Sequence, residues 1–414
     1  MDIQSLRGMP DLFPEDLEKW HILEKTLSKV FLSCGTKEIR TPLLESTELF
    51  NRSVGNSSDI VNKELYSFLD RNDKSISLRP EGSASVIRAI IQKKQEHEKH
   101  KLWYQGPMFR YERPQKGRFR QFHQAGVEYL GYEEGLSEYE LISMVIQLNQ
   151  RLGIKKYKIK INHLGDKDTK ENFCNALKLF LEPHLDTLHE KDVARLESNP
   201  LRILDSKEES TQNLLATAPR FQDFLSESPK TFLTNIVQHF TDQCDIAVDS
   251  SLVRGLDYYT GLVFEVVSED LGAQDAFLGG GRYDHLSKEL GGKGMEAIGF
   301  AIGLERIIDL MQIQPLQNVQ KVAFITVGEQ DQQKTYKIAH ALREANLGVI
   351  LDAFLSSATL KSQLKRANKH EHHFAIIIGE EERELGKYLW KNLSAQGDQE
   401  LLHFEALIDK YKNL

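Results

Sequence analysis

The architecture turns on YQGPMFRYERPQKGRFRQFHQAGVEYLG, residues 104–131. Two runs rich in aromatic and apolar residues flank a segment that holds Arg110, Arg113, Lys116, Arg118 and Arg120 around a proline and a glycine, opposed only by Glu112. That pattern predicts two antiparallel strands joined by a cationic hairpin loop. Side chains of one parity share a face in the return strand, which aligns Arg118, Arg120, Phe122, Gln124, Gly126 and Glu128. The face thus offers cations, an aromatic platform, an amide and a carboxylate in order. A solvated basic hairpin also accounts for the loop. It does not account for Glu128, set between Val127 and Tyr129, because a buried carboxylate needs partners.

Outward from this hairpin, residues 36–132 read as strands and turns with one helix near 81–95, so an antiparallel sheet is expected. Upstream, Leu17, Trp20, Leu23, Leu27, Val30 and Phe31 recur at helical spacing, and Gly35 stops the helix. Downstream come a helix at 137–152, a strand at 157–162 and a helix-rich stretch, 168–241, broken at Pro183, Pro200, Pro219 and Pro229. That stretch reads as a helical insertion. Strand and glycine signals return at 244–303. From Lys321 short apolar strands alternate with amphipathic helices, predicting a separate α/β unit with a largely parallel sheet, joined near residue 316.

At 414 residues the chain is too long for a single core, and two or three domains are expected. Cys34, Cys174 and Cys244 are scattered and odd in number, which excludes a disulfide framework and fits a reducing, cytoplasmic setting. No leader-like or membrane-spanning apolar run is present, so no membrane partner is expected. The net charge of −8 counts against a protein that coats nucleic acid through bulk charge. Residues 321–414 carry 13 basic and 13 acidic side chains, so any docking of nucleic acid there needs a local stripe. Lys361, Lys365 and Lys369 supply one at i, i+4, i+8 beside Arg366, and a solvated helix face is the alternative.

Three further segments invite chemistry. LVRGLDYYTGLVFEV, 252–266, sets Arg254 beside Gly255 and just before the pair Tyr258 and Tyr259; alone, Arg254 reads as a salt-bridge partner. FLGGGRYDHLSKELGG, 277–292, permits close backbone approach at its three glycines. AIGFAIGLERI, 297–307, runs a small-residue strand into a helix whose first turn carries Glu305 and Arg306, with Arg306 either facing the sheet or at the surface. Neither GxxxxGK[ST] nor a strand-then-helix GxGxxG occurs, so ATP, if bound, is held by neither of those folds. The histidines of HEKH and HEHH lack zinc-site spacing, so no metal is expected on them, and whether side chains hold magnesium is open.

Taken together, these segments resemble the class II aminoacyl-tRNA synthetases, and among them the histidyl-tRNA synthetase family, across essentially the whole chain. RGMPDLFPED at the start, EIRTPLLESTELFNRSVG around Pro42, RPEGSAS at 79–85, the arginine-rich hairpin, RGLDYYTG with GGGRYD, and GFAIGLERI fall in the family's order. The resemblance implies an α+β chain: an antiparallel-sheet catalytic domain over 1–316 with a helical insertion, an anticodon-binding α/β domain over 321–414, and a homodimer. It implies activation of histidine by ATP with substrate-associated Mg2+, then transfer to the terminal ribose of tRNA(His).

By the same resemblance Arg110 and Arg254 are the catalytic cations on either side of the α-phosphate, and both also serve the substrate carboxylate. Phe122 and Arg306 sandwich the adenine, and Arg118 reaches the γ-phosphate. Glu81, Ser83 and Gln124 hold the histidine ammonium, Glu128 and Tyr259 read the imidazole, and Tyr258 lines the same pocket. Arg113, Gln115 and Lys116 face the tRNA acceptor, and Lys361, Lys365 and Lys369 face the anticodon. Ser83 stands where threonine is commoner in the family, and His285 where glycine is usual, leaving that turn open. Two non-catalytic relatives share the framework, a regulatory subunit of histidine biosynthesis and a tRNA-sensing kinase domain. Both tend to lose the clamping residues that persist here.

Overall fold

The structure, a computed structural model, describes residues 3–55, 60–115, 117–206, 208–254, 258–272, 275–312, 320–327, 332–354, 358–393 and 398–414. It divides into two compact units, Met1–Ile313 and Gln314–Leu414.

Among the described residues, eleven strands build the first unit. Four are short: β1 (Lys37–Glu38), β2 (Leu44–Ser46), β3 (Ser67–Leu69) and β4 (Ser75–Leu78). Seven follow: β5 (His100–Phe109), β6 (Gln121–Leu130), β7 (Lys158–His163), β8 (Asp245–Val248), β9 (Thr260–Val267), β10 (Ala276–Arg282) and β11 (Ala297–Gly303). Eight of them form one sheet in the order β1-β5-β6-β11-β10-β9-β7-β8, antiparallel except at its two edge pairs. The quoted hairpin is β5 and β6, in register from His100 opposite Leu130 to Phe109 opposite Gln121.

One layer on this sheet includes the helices Pro14–Ser33 and Leu136–Arg151. The helical spacing read from the sequence holds: Trp20, Leu23, Leu27, Val30 and Phe31 are buried, with Phe31 against Trp103 of β5. The helix-rich segment stands between β7 and β8 and packs around Phe173, Leu177, Ile203, Phe221 and Ile236, whose burial explains its periodic apolar residues despite the prolines. The span 36–132 is less purely extended than its sequence suggests. Thr47–Val54 forms a helix, burying Leu49, Phe50 and Val54 on one face, beside a small sheet ordered β2-β4-β3.

The second unit holds β12 (Lys321–Thr326), β13 (Ile350–Phe354), β14 (Phe374–Ile378), β15 (Tyr388–Asn392) and β16 (Gln399–Leu402) in the order β13-β12-β14-β15-β16. Val322 and Phe324 enter one apolar cluster, Ala323 and Ile325 another, so both faces are covered and the strand reads as a continuous apolar run. The expected largely parallel sheet is corrected here: β12 pairs parallel with β13 and β14, but β14, β15 and β16 pair antiparallel. The sequence concealed this because β16, QELL, is short and mostly exposed and shows no apolar run.

Candidate active site

A cleft of about 710 Å3 opens on the open face of the large sheet. Arg110, Arg118, Phe122, Gln124, Arg254 and Arg306 all line it, together with Glu81, Ser83, Tyr258 and Tyr259, so ten of the residues singled out in the sequence converge. Each arrives from a different local cause. Phe122 and Gln124 alternate along β6, and Ser83 opens the helix Ser83–Lys93, whose first N–H groups, on Ser83 and Ala84, donate to Glu81 at 2.6 and 3.0 Å. Arg306 lies in the first turn of the helix Leu304–Leu310, where it donates to the carbonyls of Gly117 and Ala276 and so faces the cleft.

The hairpin shows where simple alternation stops. β6 begins at Gln121, so Arg118 and Arg120 precede the strand, and the expected shared face ends at Phe122. Arg118 still reaches the cleft, paired to Glu112 at 3.1 Å. Arg120 turns away, its guanidinium 3.9 Å from the Tyr111 ring centre and bonded to the Glu112 carbonyl. Arg113 and Gln115 are exposed on the loop tip, and Lys116 lies outside the described residues. The two adjacent N–H groups of Arg120 and Gln121 donate to the carbonyl of Gly8, tying the N-terminal segment to the loop base.

The cations are held in place before any ligand arrives. Arg110 donates to the Pro80 carbonyl at 3.0 Å and lies 5.3 Å from the Phe122 ring centre. Arg254 is paired with Glu265 at 2.5 Å. Gly279 of the glycine run makes room for that guanidinium, since a Cβ there would overlap it. Burial, followed by the like charges of Arg118 and Arg110, lowers the pKa of Arg306. Clustered cations are costly unless anions join them, and Glu112 and Glu265 here offset part of that cost.

Glu128 lies fully buried behind the cleft wall. Ser83 Oγ donates to its Oε1 at 2.6 Å and Tyr283 Oη to its Oε2. Across the sheet Gly299 pairs with Glu128, and a Cβ there would overlap the carboxylate. Burial raises its pKa to about 8, only partly offset by the Ser83 and Tyr283 hydroxyls. Gln124 Oε1, also buried, has no hydrogen-bond partner among the described residues.

Sequence reasoning missed three contributors. Tyr283 follows the glycine run, and its bond to Glu128 spans 155 residues, a distance no local pattern reports. Glu305 accepts from the His123 amide at 2.8 Å and from its ring at 3.0 Å, fixing the return strand to the last helix. Glu265 could have been found, because it is a carboxylate in the otherwise apolar strand β9, the signal that flagged Glu128. The insertion also contributes Lys191 and Arg195 to the cleft lining. His285, open in the sequence, adopts φ −90°, a right-handed conformation that needs no glycine.

In the second unit, Lys361, Lys365 and Lys369 are exposed along the helix Leu360–Lys369, whose buried face is Gln363 and Ala367. No described helix is long and apolar enough to cross a membrane.

Comparison with known proteins agrees with this geometry along the full length. The family model described as histidyl-tRNA synthetase matches residues 8–307, and that of an anticodon binding domain matches 321–414. A histidine–tRNA ligase of Prochlorococcus marinus (strain MIT 9211) is 44% identical over all of both chains. One from Listeria innocua serovar 6a is 40% identical, covering all of this chain and 99% of the relative. The crystal structure of apo S. aureus histidyl-tRNA synthetase superposes with a TM-score of 0.82 at 34% identity, covering 99% of this chain and all of the other. The chain belongs to the histidyl-tRNA synthetase family.

Proposed function

We propose that the cleft carries out both steps of the histidine–tRNA ligase reaction: histidine and ATP give histidyl-adenylate and pyrophosphate, and the histidyl group then passes to the 3′-terminal ribose of tRNA(His). The convergence of Arg110, Arg118, Arg254 and Arg306 on one cleft, with a buried acid behind its wall, carries this reading. In the first step a carboxylate attacks the α-phosphorus, so two anions must be brought together against their repulsion. Fixed cations do this by alignment and charge stabilisation, without a nucleophilic side chain.

Arg110 and Arg254 flank the α-phosphate and the substrate carboxylate. Their anchors, the Pro80 carbonyl and Glu265, support pre-positioning, so little reorganisation is needed as charge develops. Phe122 and Arg306 hold the adenine between a ring face and a guanidinium plane, and Arg118 meets the γ-phosphate. The ammonium lies against Glu81, Ser83 and Gln124, and the unpartnered Gln124 Oε1 supplies an acceptor suited to it. Glu128 and Tyr259 take the two ring nitrogens, beside Tyr258. The carboxylate offers about four lone-pair sites, of which two are filled, so a ring N–H can join without displacing either hydroxyl.

Magnesium enters with ATP, held by the phosphates. Of the cleft carboxylates, Glu112 and Glu265 are each paired to an arginine. Residues 1–316 form the catalytic domain, with Arg113, Gln115 and Lys116 toward the acceptor end. Residues 321–414 bind the anticodon through Lys361, Lys365 and Lys369. The active molecule is a cytoplasmic homodimer; the exposed Leu43, Leu44, Phe68 and Leu69 around the small sheet supply an apolar surface suited to a second copy. The regulatory and sensing alternatives are not favoured, since relatives named histidine–tRNA ligase match the full length of the chain at 40–44% identity. Histidine-dependent ATP–pyrophosphate exchange followed by charging of tRNA(His) tests the reading, and histidine binding without exchange would refute it.

A further inference from the structure

The hairpin register places a side chain under the pocket that no part of this reaction has used. Tyr104 of β5 lies opposite Gly126 of β6, so its ring shares the sheet face that carries Gln124, Gly126 and Glu128. The ring is 2% exposed and wedged between two glycines: a Cβ at Gly82 or at Gly126 would overlap it, falling no more than 2.7 Å from the hydroxyl in either case. Those glycines adjoin the pocket's own residues, one preceding Ser83 and the other two places before Glu128. The hydroxyl has no partner of full hydrogen-bond geometry among the described residues, although Ser83 and Glu128 both lie close enough to act on it. A buried O–H without a partner is costly, and here two glycines, the smallest possible neighbours, make room for it.

The electrostatics agree with the geometry. Burial holds the Tyr104 phenol well above its ordinary range, the Glu128 and Glu81 carboxylates push it further, and Ser83 acts in the opposite sense. Its neighbours are thus the groups that would meet the ligand's ammonium and ring. Ser83 Oγ spends its one proton on Glu128 and keeps its lone pairs, so it can accept from Tyr104 while it donates.

We propose that Tyr104 is a positioning residue for histidine selection, its hydroxyl completing a hydrogen-bond chain from Tyr104 to Ser83 to Glu128 that aims the carboxylate at the ligand ring. The inference rests on the pocket assignment above. Bonds in such a chain polarise one another, so a donor to Ser83 strengthens the bond that Ser83 gives to Glu128. The chain closes when the ligand's ammonium draws Ser83 into line, which removes the penalty of the unpartnered hydroxyl in the loaded pocket alone. Selectivity follows, because only a ligand that engages both Ser83 and Glu128 gains from closing it.

Tyr104→Phe separates this role from packing, because the ring and its two glycine contacts remain. A structural role for the ring predicts unchanged or raised thermal stability and unchanged histidine affinity, since only an unpaired polar atom is lost. The proposal predicts the same stability but a histidine Kd raised about tenfold, ATP Kd within about twofold, and partial loss of that effect when Ser83→Ala is already present. The measurement is calorimetric titration of the full-length protein with histidine and with ATP, alongside a melting curve. An unchanged histidine Kd overturns the inference, as do equal losses for both ligands or full additivity with Ser83→Ala. Glu128→Gln in parallel separates the levels: if it weakens histidine binding while Tyr104→Phe does not, the chain fails and the pocket stands. If neither weakens it, the pocket assignment fails and the inference with it.

Discussion

One face of β6 handles charge in opposite ways at its two ends. Around Phe122 the cations are partly exposed and stand in counter-ion pairs or on carbonyls: Arg118 with Glu112, Arg254 with Glu265, Arg110 on Pro80. Around Glu128 the site is sealed, its acid raised to about 8 and satisfied by uncharged hydroxyls. The difference suits the two ligands proposed for these ends. Triphosphate brings its own charge, and the protein needs fixed cations at an open cleft. An imidazole brings almost none, and a buried acid with few alternatives can discriminate it, since a ligand lacking the nitrogen leaves that acid unpaired.

The comparison breaks first at the arginine end. Arg254→Ala should lower the rate of histidine-dependent pyrophosphate exchange by about 10²- to 10³-fold, the usual cost of one lost electrostatic donor at developing charge. The substitution also leaves Glu265 in the cleft without its 2.5 Å partner, adding an anion beside the phosphates. Glu265→Gln in the Arg254→Ala background should therefore recover part of the loss. Near-normal exchange in folded Arg254→Ala would remove this arginine from the mechanism.

The buried end gives the next largest effect. At pH 8.5, where the acid is mostly ionised, Glu128→Gln should weaken histidine binding by about 1.5 to 3 kcal/mol, the range for a hydrogen bond to a charged group, while ATP affinity changes much less. Equal losses for both ligands would mean that the two ends are not separate. The raised pKa sharpens the test through its sign. Glu81, Tyr104, Tyr258, Tyr259 and Tyr283 face this acid, and Glu81 raises its pKa further. With a value of about 8 the acid is mostly protonated at neutral pH in the empty pocket and ionises above it. Wild-type affinity for histidine should thus rise from pH 7 to 8.5, whereas the glutamine variant should stay flat. Stability moves the other way. The folded state keeps a proton that the unfolded chain releases near 4.5, so stability from this group falls as pH rises from about 4.5 to about 8. Melting curves of wild type should show that decline, reduced in Glu128→Gln.

How much of this was legible in the sequence follows from the range of each interaction. Helices with a strong apolar stripe, such as Pro14–Ser33, are local events, and their buried positions could be named in advance. The convergence of Arg110, Arg254 and Arg306 was legible only through resemblance, because three separate segments must meet. Tyr283, bonded to a residue 155 positions away, gave no local sign. Arg118 and Arg120 show the converse failure: strict alternation placed both on the site face, but β6 begins one residue after Arg120, and only Arg118 lines the cleft. The antiparallel end of the second sheet was hidden because an exposed edge strand needs no apolar run.

The smallest expected effect carries the comparison into the second unit, where charge acts with neither burial nor a cleft. Lys361, Lys365 and Lys369 project from one exposed helix face, in a unit whose 13 basic and 13 acidic residues cancel. Their attraction for a phosphate backbone is therefore local, and it should release counterions in proportion to the contacts made, with a salt slope of about 0.7 to 0.9 per contact. Changing all three lysines to alanine should raise the KM for tRNA(His) several-fold near physiological salt and flatten the salt dependence of tRNA binding by about two to three units of log–log slope. Pyrophosphate exchange, which needs no tRNA, should stay within about twofold of wild type. The slope is the decisive observable, because a folding defect would lower activity at every salt concentration without changing it. If the slope is unaltered, the stripe is a solvated helix face, and anticodon binding must use another surface of the unit.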